Sequence, residues 1–291
     1  QYPNGAWPQQ FREPPDSATH PIKRADYPAT WSRTFPNQTY KGHYTFNDNA
    51  MVDMMNVLFE AQRIYGDDRY RRAAEKTGGV LLLAQMPEPQ PGWAQQYNAD
   101  MAPAWARKFE PASVGGGEAQ SVMFALIQLY RMTGDKKYLE PIPRALAYYK
   151  RSQRPDGKLA RFYELKTNKP LYFTKDYQLT YSDADMPTHY GFVVSSRLGK
   201  IEREYEDALK TPKDQLDPPR KKDDYKMSSD LMKRARAAID IMDSRGAWVE
   251  MGKLRYHGSD DKTREIIDTR TVVKNILTLA QFISASKQPS P

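Results

Sequence analysis

A short turn built on Pro and Gly recurs along this chain, and that recurrence limits the available folds more than any other feature. Residues 1–7 read QYPNGAW, 85–93 QMPEPQPGW, 153–157 QRPDG and 243–248 DSRGAW. The last three follow stretches whose apolar residues have helical spacing. A second motif, YGDDRY at 65–70 and TGDKKY at 133–138, stops one helix and starts the next. Two helix–connector–helix–turn units in register predict stacked antiparallel helical pairs. Helices are expected from the capping stretch Asn47-Asp48-Asn49 onward (Met51, Met54, Met55, Leu58 and Phe59 on one side), up to Ala84, and over 118–132 with Val122, Leu126 and Leu129 buried. Further helices are expected over 193–209, from Ser228 or Ser229 to Met242, and over 271–286. Alternation of Leu159, Arg161 and Tyr163 reads as a strand.

These elements make a mainly α fold: an incomplete α/α toroid of antiparallel helical pairs with a small β-containing subdomain at about 158–186. Tetratricopeptide-like stacking is the main alternative, and the uneven spacing of Gly5, Gly92 and Gly157 speaks against it. The chain is taken as one domain over 1–291, with an exposed polar connector at 211–226 around Pro218-Pro219. Residues 11–43 form a long aromatic loop, with Trp31, Phe35 and Tyr40 near its end, expected to pack as one wall of a cleft. Loops that follow the repeated turns gather at one end of such a stack, where function usually resides.

With 291 residues, the core is ample. No cysteine is present, which excludes a disulfide framework, a thiol nucleophile and thiolate metal sites. A net charge of +8, spread rather than blocked, fits either a generic basic surface or attraction to a polyanion, nucleic acid or acidic polysaccharide. The longest apolar run, 80–84, is far too short to span a bilayer. Starting at Gln1, inside a repeat turn, suggests a trimmed or mature chain, and a monomer is expected.

Phosphate-binding glycine loops, HExxH and GxSxG are all missing, and His20, His43, His189 and His257 lack metal-ligand spacing. What remains is oxygen donors and cations on loops. Asn47-Asp48-Asn49 offers the hard oxygens calcium takes, or else an ordinary helix cap. Asn98 with Asp100, and Arg107 with Lys108 and Glu110, form further polar clusters whose alternative is a solvated loop with an ion pair. Arg161, Lys169 and Lys175 are cations on or beside the strand segment, or simply a solvated edge.

Three stretches carry a resemblance: TFNDNAM at 45–51, AWARKFEPAS at 104–113 and ARFYELKTNKP at 160–170. They resemble family 10 of the polysaccharide lyases, the pectate lyases, and the opening QYPNGAWPQ is similar to that family's repeat turn. The similarity thins after residue 176, where the family's Arg-Arg-Asn-Gly-Tyr segment is replaced by Pro187-Thr-His-Tyr-Gly191. The resemblance implies a toroid-like helical fold, a secreted or periplasmic location, calcium dependence and cleavage of polygalacturonate by β-elimination. It makes Asp48 a calcium ligand and Arg161 the arginine that binds the substrate carboxylate. Two positions depart. Asn98 stands where the family has an acidic calcium ligand, with Asp100 as compensation, and Lys175 stands where the family has its base arginine.

The residue types suit that chemistry. Elimination needs a base for the proton beside the uronate carboxylate, and cations for the charge that develops. The expected site is therefore Lys175 and Arg161 as catalytic residues, with Arg107, Tyr163, Lys169, Trp93 and His189 binding substrate. Asp48, Asn49, Asn98, Asp100 and Glu110 are the expected calcium set. A lysine serves as base only if burial or neighbouring cations such as Arg161 lower its pKa. The competing readings are a non-catalytic or weakly active acidic-glycan binder, a lyase for another polyuronate, or a helical-repeat scaffold. No base-stacking motif accompanies the positive charge and no apolar run could cross a bilayer, so neither a nucleic-acid nor a membrane partner is expected.

Overall fold

Each connector closes its helices in the same way. In the computed structural model, which describes residues 1–10, 17–216, 225–254 and 258–287, α1 (Ala50–Tyr65) ends on Gly66 at φ 67°. The Gly66 N–H returns to Gln62 O at 2.8 Å. Asp67 then caps α2 (Asp68–Leu83) by accepting from Arg69 N at 2.9 Å. After α3 (Glu118–Thr133), Gly134 repeats the stop at φ 69°, and Asp135 accepts from Lys137 N at 3.1 Å. A short 3-10 turn leads into α4 (Ile142–Arg151). A left-handed residue at this position costs Gly little and other residues more, so the glycine sets the stop. The repeat turns are alike too. Trp93 Nε1 donates to Leu81 O at 2.8 Å and Trp248 Nε1 to Ala238 O at 2.6 Å, so each tryptophan folds back on the helix before its turn.

Contacts divide the chain into two compact units, Gln1–Pro218 and Pro219–Pro291, where the sequence suggested one domain. The boundary falls within the expected connector, of which 217–224 lie outside the described residues. In the first unit α1 packs on α2, α2 on α3, and α3 on α5 (Leu198–Lys210). Strand β1 (Tyr44–Thr45) pairs with β2 (Gln96–Tyr97). An antiparallel sheet runs in the order β3 (Val114–Gly115), β5 (Phe162–Tyr163), β6 (Pro170–Phe173) and β7 (Leu179–Thr180). Beside it β4 (Leu159–Ala160) pairs with β8 (Val193–Val194), so the helix expected over 193–209 begins at Leu198 instead. Two adjacent β-branched valines suit the ladder better than a helix start. The β excursion lies where the sequence put it. The long loop also packs: Trp31 and Phe35 lie against the core, Phe35 facing Trp105 at 5.8 Å, although residues 11–16 are outside the described part.

Val122, Leu126 and Leu129 of α3 are fully buried, among Trp93, Tyr97, Tyr149 and Phe162. Each such side chain contributes about 1.5–3 kcal/mol by leaving water. This core holds the N-terminus of α3 rigidly beside β3 and the β4–β5 bend. In the second unit, α6 (Ser229–Asp240), capped by Ser228, packs on α7 (Thr269–Ser286), and β9 (Glu250–Met251) pairs with β10 (Glu265–Ile266). Among the described residues no helix is long and apolar enough to cross a membrane.

Candidate functional site

Arg161 sits in the bend between β4 and β5, its backbone held on both sides. Its N–H donates to Phe192 O at 2.7 Å, and its carbonyl accepts from Gly116 N at 2.8 Å. That close approach requires glycine, since a Cβ at Gly116 would lie 2.1 Å from Ala160 O. The side chain is equally constrained. Nε donates to Gly191 O at 2.5 Å, Nη1 donates to Glu118 Oε1 at 2.7 Å, and the guanidinium lies over the Tyr190 ring at 4.9 Å. The side chain as a whole is 21% exposed, and Nη2 has no hydrogen-bond partner among the described residues.

Glu118 is the first residue of α3 and is 8% exposed. Its Oε2 is buried without a hydrogen-bond partner among the described residues. Burial raises the Glu118 carboxyl above its ordinary value; Arg161 opposes that shift, while the charges of Glu110 and Asp48 add to it. Asp48, Glu110, Glu118 and Arg161 therefore share one electrostatic neighbourhood. Glu110 is saturated: Oε1 accepts from Gln95 at 2.6 Å, Arg107 Nη2 at 2.5 Å and Tyr190 OH at 3.0 Å, while Oε2 accepts from Arg107 Nε at 2.9 Å. Burial would raise its carboxyl, but the hydrogen bonds and charge of Arg107 hold it below the ordinary range. Arg107 also lies over Phe109 at 4.9 Å and Tyr190 at 5.4 Å. Beyond these rings His189 packs on Phe109 at 5.1 Å and Tyr177 at 5.8 Å, and Lys108 Nζ caps the Tyr177 face at 3.5 Å.

Asp48 and Asn49 are exposed, at φ 52° and 57°. Neither caps α1 with its side chain, so the ordinary-cap reading does not hold. Asp48 accepts one bond, from Asn47 Nδ2 at 3.2 Å. Two successive non-glycine residues in the left-handed region cost free energy, a pattern common where side chains are held out for a ligand.

Other expected positions lie elsewhere. Trp93 is 0% exposed and Tyr163 1%, and both are core residues, not substrate contacts. The Tyr163 hydroxyl donates to Ser152 O at 2.7 Å and accepts from Ala160 N at 3.0 Å, and burial pushes its pKa up to about 12. The β1–β2 register, Tyr44 opposite Tyr97, sends Asn98 and Asp100 off the opposite end of the ladder from Asp48. Asn98 Oδ1 accepts from Asp100 N and Ala102 N, each at 3.0 Å, and Asp100 pairs with Lys23 at 2.6 Å. Lys169 is on the β5–β6 turn, at the far end of the sheet from Arg161, with its Nζ 5.0 Å from the Tyr181 ring. Lys175 is on the β6–β7 turn, at the Arg161 end, two residues before Tyr177. It is 67% exposed and pairs with Asp185 at 3.1 Å, surroundings opposite to the burial and cationic neighbours expected of a lysine base.

The structure adds Glu118, Tyr190, Gly191 and Gln95, which the sequence did not single out. Tyr190 and Gly191 belong to the segment where the family pattern breaks down, so no motif pointed to them. A calcium ion fits only part of the expected set. Asp48 offers a carboxylate with free lone pairs and Asn49 an exposed amide beside it, whereas Asn98 and Glu110 have theirs engaged, and Asp100, with one oxygen paired to Lys23, leaves the β1–β2 ladder at the other end. Among the described residues there is no group of three or more His, Cys, Asp or Glu that could hold a metal by itself.

Residues 1–128 match the family model described as pectic acid lyase. Among solved structures, Family 10 polysaccharide lyase from Cellvibrio cellulosa is similar at 23% identity and a TM-score of 0.52, covering 72% of this chain and 68% of that one. A mutant of the Family 10 polysaccharide lyase from Cellvibrio cellulosa, in complex with trigalacturonic acid, is similar at 23% identity and a TM-score of 0.51, with the same coverage. At that identity the structural likeness is one of fold. No curated protein sequence matches. The resemblance drawn from the motifs is borne out, as is the mainly α, α/α-toroid-like fold, and the chain is pectate lyase-like in its N-terminal sequence and architecture.

Proposed function

We propose that this chain, pectate lyase-like over its first 128 residues, cleaves a polyuronate of the polygalacturonate type by calcium-assisted β-elimination. The observation that carries the reading is Arg161, a guanidinium fixed on two sides with one edge left for a carboxylate, lying over the Tyr190 ring and paired with Glu118, whose carboxyl also feels the Asp48 charge. In the reaction, the C–H bond beside the uronate carboxylate breaks, a carbon–carbon double bond forms, and the glycosidic oxygen leaves and takes up a proton. Negative charge grows on the carboxylate as the proton departs, and a pre-oriented guanidinium stabilises it without reorganising. Asp48 and Asn49 would hold the calcium, shared with substrate carboxylates, and the ion would supply further charge neutralisation. Lys175 is the proposed base, on the hairpin turn whose Tyr177 packs against the rim; bound substrate, with the shared calcium, would have to displace Asp185 and supply the burial and neighbouring positive charge that free the amine of its proton. Arg107 acts through Glu110 and the rings, and His189 borders the subsite. A polymeric substrate does not cross a bilayer intact, which supports a secreted or periplasmic location.

The test is ultraviolet absorbance of unsaturated products across polygalacturonate, esterified pectin and other polyuronates, with calcium or with chelator. We expect product from polygalacturonate, lost with chelator. Lys175→Ala should lower turnover at least about a hundredfold, the scale of general base catalysis, while leaving affinity for oligogalacturonate largely unchanged. The exposed Lys175–Asp185 pair favours one second reading, an acidic-glycan binder with weak or no turnover. Binding of oligogalacturonate by wild type without product from any polyuronate would select it.

A further inference from the structure

We propose that Glu118 is a positioning residue for Arg161: its buried carboxylate holds the guanidinium in the one orientation that leaves the Nη2 edge for a uronate carboxylate. This rests on the reading of Arg161 as the carboxylate clamp, and adds what makes the clamp rigid. An arginine side chain has several rotatable bonds, and a free one loses that freedom when it binds. Here three contacts remove it beforehand. Gly191 O takes Nε, Glu118 Oε1 takes Nη1, and Tyr190 covers one face. Nη2 makes no hydrogen bond among the described residues, and a Cβ at Gly191 would be only 3.9 Å from it, so no side chain from that position covers it.

Of the three contacts, only Glu118 is both charged and buried, and its position is unfavourable by other measures. Its second oxygen has no partner, and two like charges, Glu110 and Asp48, lie around it. A carboxylate in such surroundings adds little to stability, since a buried ion pair is often replaceable by apolar groups without loss. What it supplies is direction. The carboxylate is anchored at the start of α3, whose buried face is packed into the core, so it transmits the rigidity of the fold to the guanidinium.

The test uses the full chain and two variants, Glu118→Gln, which keeps the acceptor oxygen, and Glu118→Ala, which removes it. Solvent exchange of the Arg161 Nε–H, assigned through its loss in Arg161→Lys, is read by nitrogen-15 NMR, and kcat and KM on polygalacturonate are measured in parallel. We expect Glu118→Ala to exchange about tenfold faster or more and to lose about tenfold in kcat/KM, the scale on which misplaced groups cost rate, with Glu118→Gln close to wild type in both. A purely structural role would lower the melting temperature of Glu118→Ala while leaving Arg161 exchange unchanged. Unchanged exchange in folded Glu118→Ala would overturn the proposal. The exchange measurement needs no turnover, so it decides the role of Glu118 even if the chain proves not to cleave.

Discussion

Glu110 shows how local charge outweighs burial at this site. Its two oxygens accept from Gln95, Tyr190 and, several times over, Arg107, which holds the carboxyl below its ordinary value of 4.5 although burial pushes the other way. A depressed carboxyl stabilises the fold above its unfolded pKa, and that contribution is lost as pH falls through the folded value. Arg107→Gln should therefore destabilise the protein by about 3 kcal/mol at pH 7, the low end for breaking a buried pair because the guanidinium is partly exposed. The penalty should shrink in acid, below the ordinary carboxyl value, where Glu110 takes up a proton. Denaturant melts of wild type and variant at neutral and acidic pH check this, and an equal gap at both would refute it. Glu118 has the opposite sign, because a raised carboxyl stabilises below its unfolded pKa and loses that as pH rises. Asp48 and Arg161 could be singled out from the sequence because they stand in distinctive motifs. Trp93 and Tyr163 stand in equally distinctive stretches but are core, since an aromatic in a motif packs inward or outward without changing the pattern. The partnership of Glu118 with Arg161 spans the chain from α3 to the β4–β5 bend, and no local periodicity encodes such a pair.

At the scale of elements, the connectors were the most legible part. Glycine followed by aspartate between apolar-periodic stretches has one physical meaning, a left-handed stop and a capped start, and both copies adopt it. Gly66→Ala isolates the first half of that signal. A Cβ at Gly66 meets nothing within 4 Å, so the substitution is expected to cost about 1 kcal/mol from backbone conformation alone. A stability change near zero in a two-state melt would mean that the connector readily adopts another turn. The strands were harder to read. Most are two residues long, too short for alternation to register, and their partners are far apart in sequence, as Val114 is from Tyr163. The register of β1 on β2 mattered most for the site. It separates Asn98 from Asp48, and nothing in the local sequence announces which end of a ladder a loop leaves from.

For the whole molecule, every residue assigned to the site lies between Asp48 and Gly191, inside the unit Gln1–Pro218. A chain ending at residue 216 is therefore expected to fold cooperatively and to keep its affinity for oligogalacturonate, measured by calorimetry beside the full chain. Loss of affinity in a folded truncation would show that the second unit contributes to binding. The helix–turn–tryptophan pattern continues past the boundary, as DSRGAW and Trp248 do in the second unit, so the turn motif does not mark it. Repetition of a motif reports a shared way of building a turn. The order of the two units also has a temporal meaning. A chain that emerges N-terminus first, from a ribosome or through a translocation pore, releases all the segments that make the site before the last helical pair appears. Assembly of the site need not wait for the end of the chain, so late errors or proteolytic losses there would leave a working clamp behind.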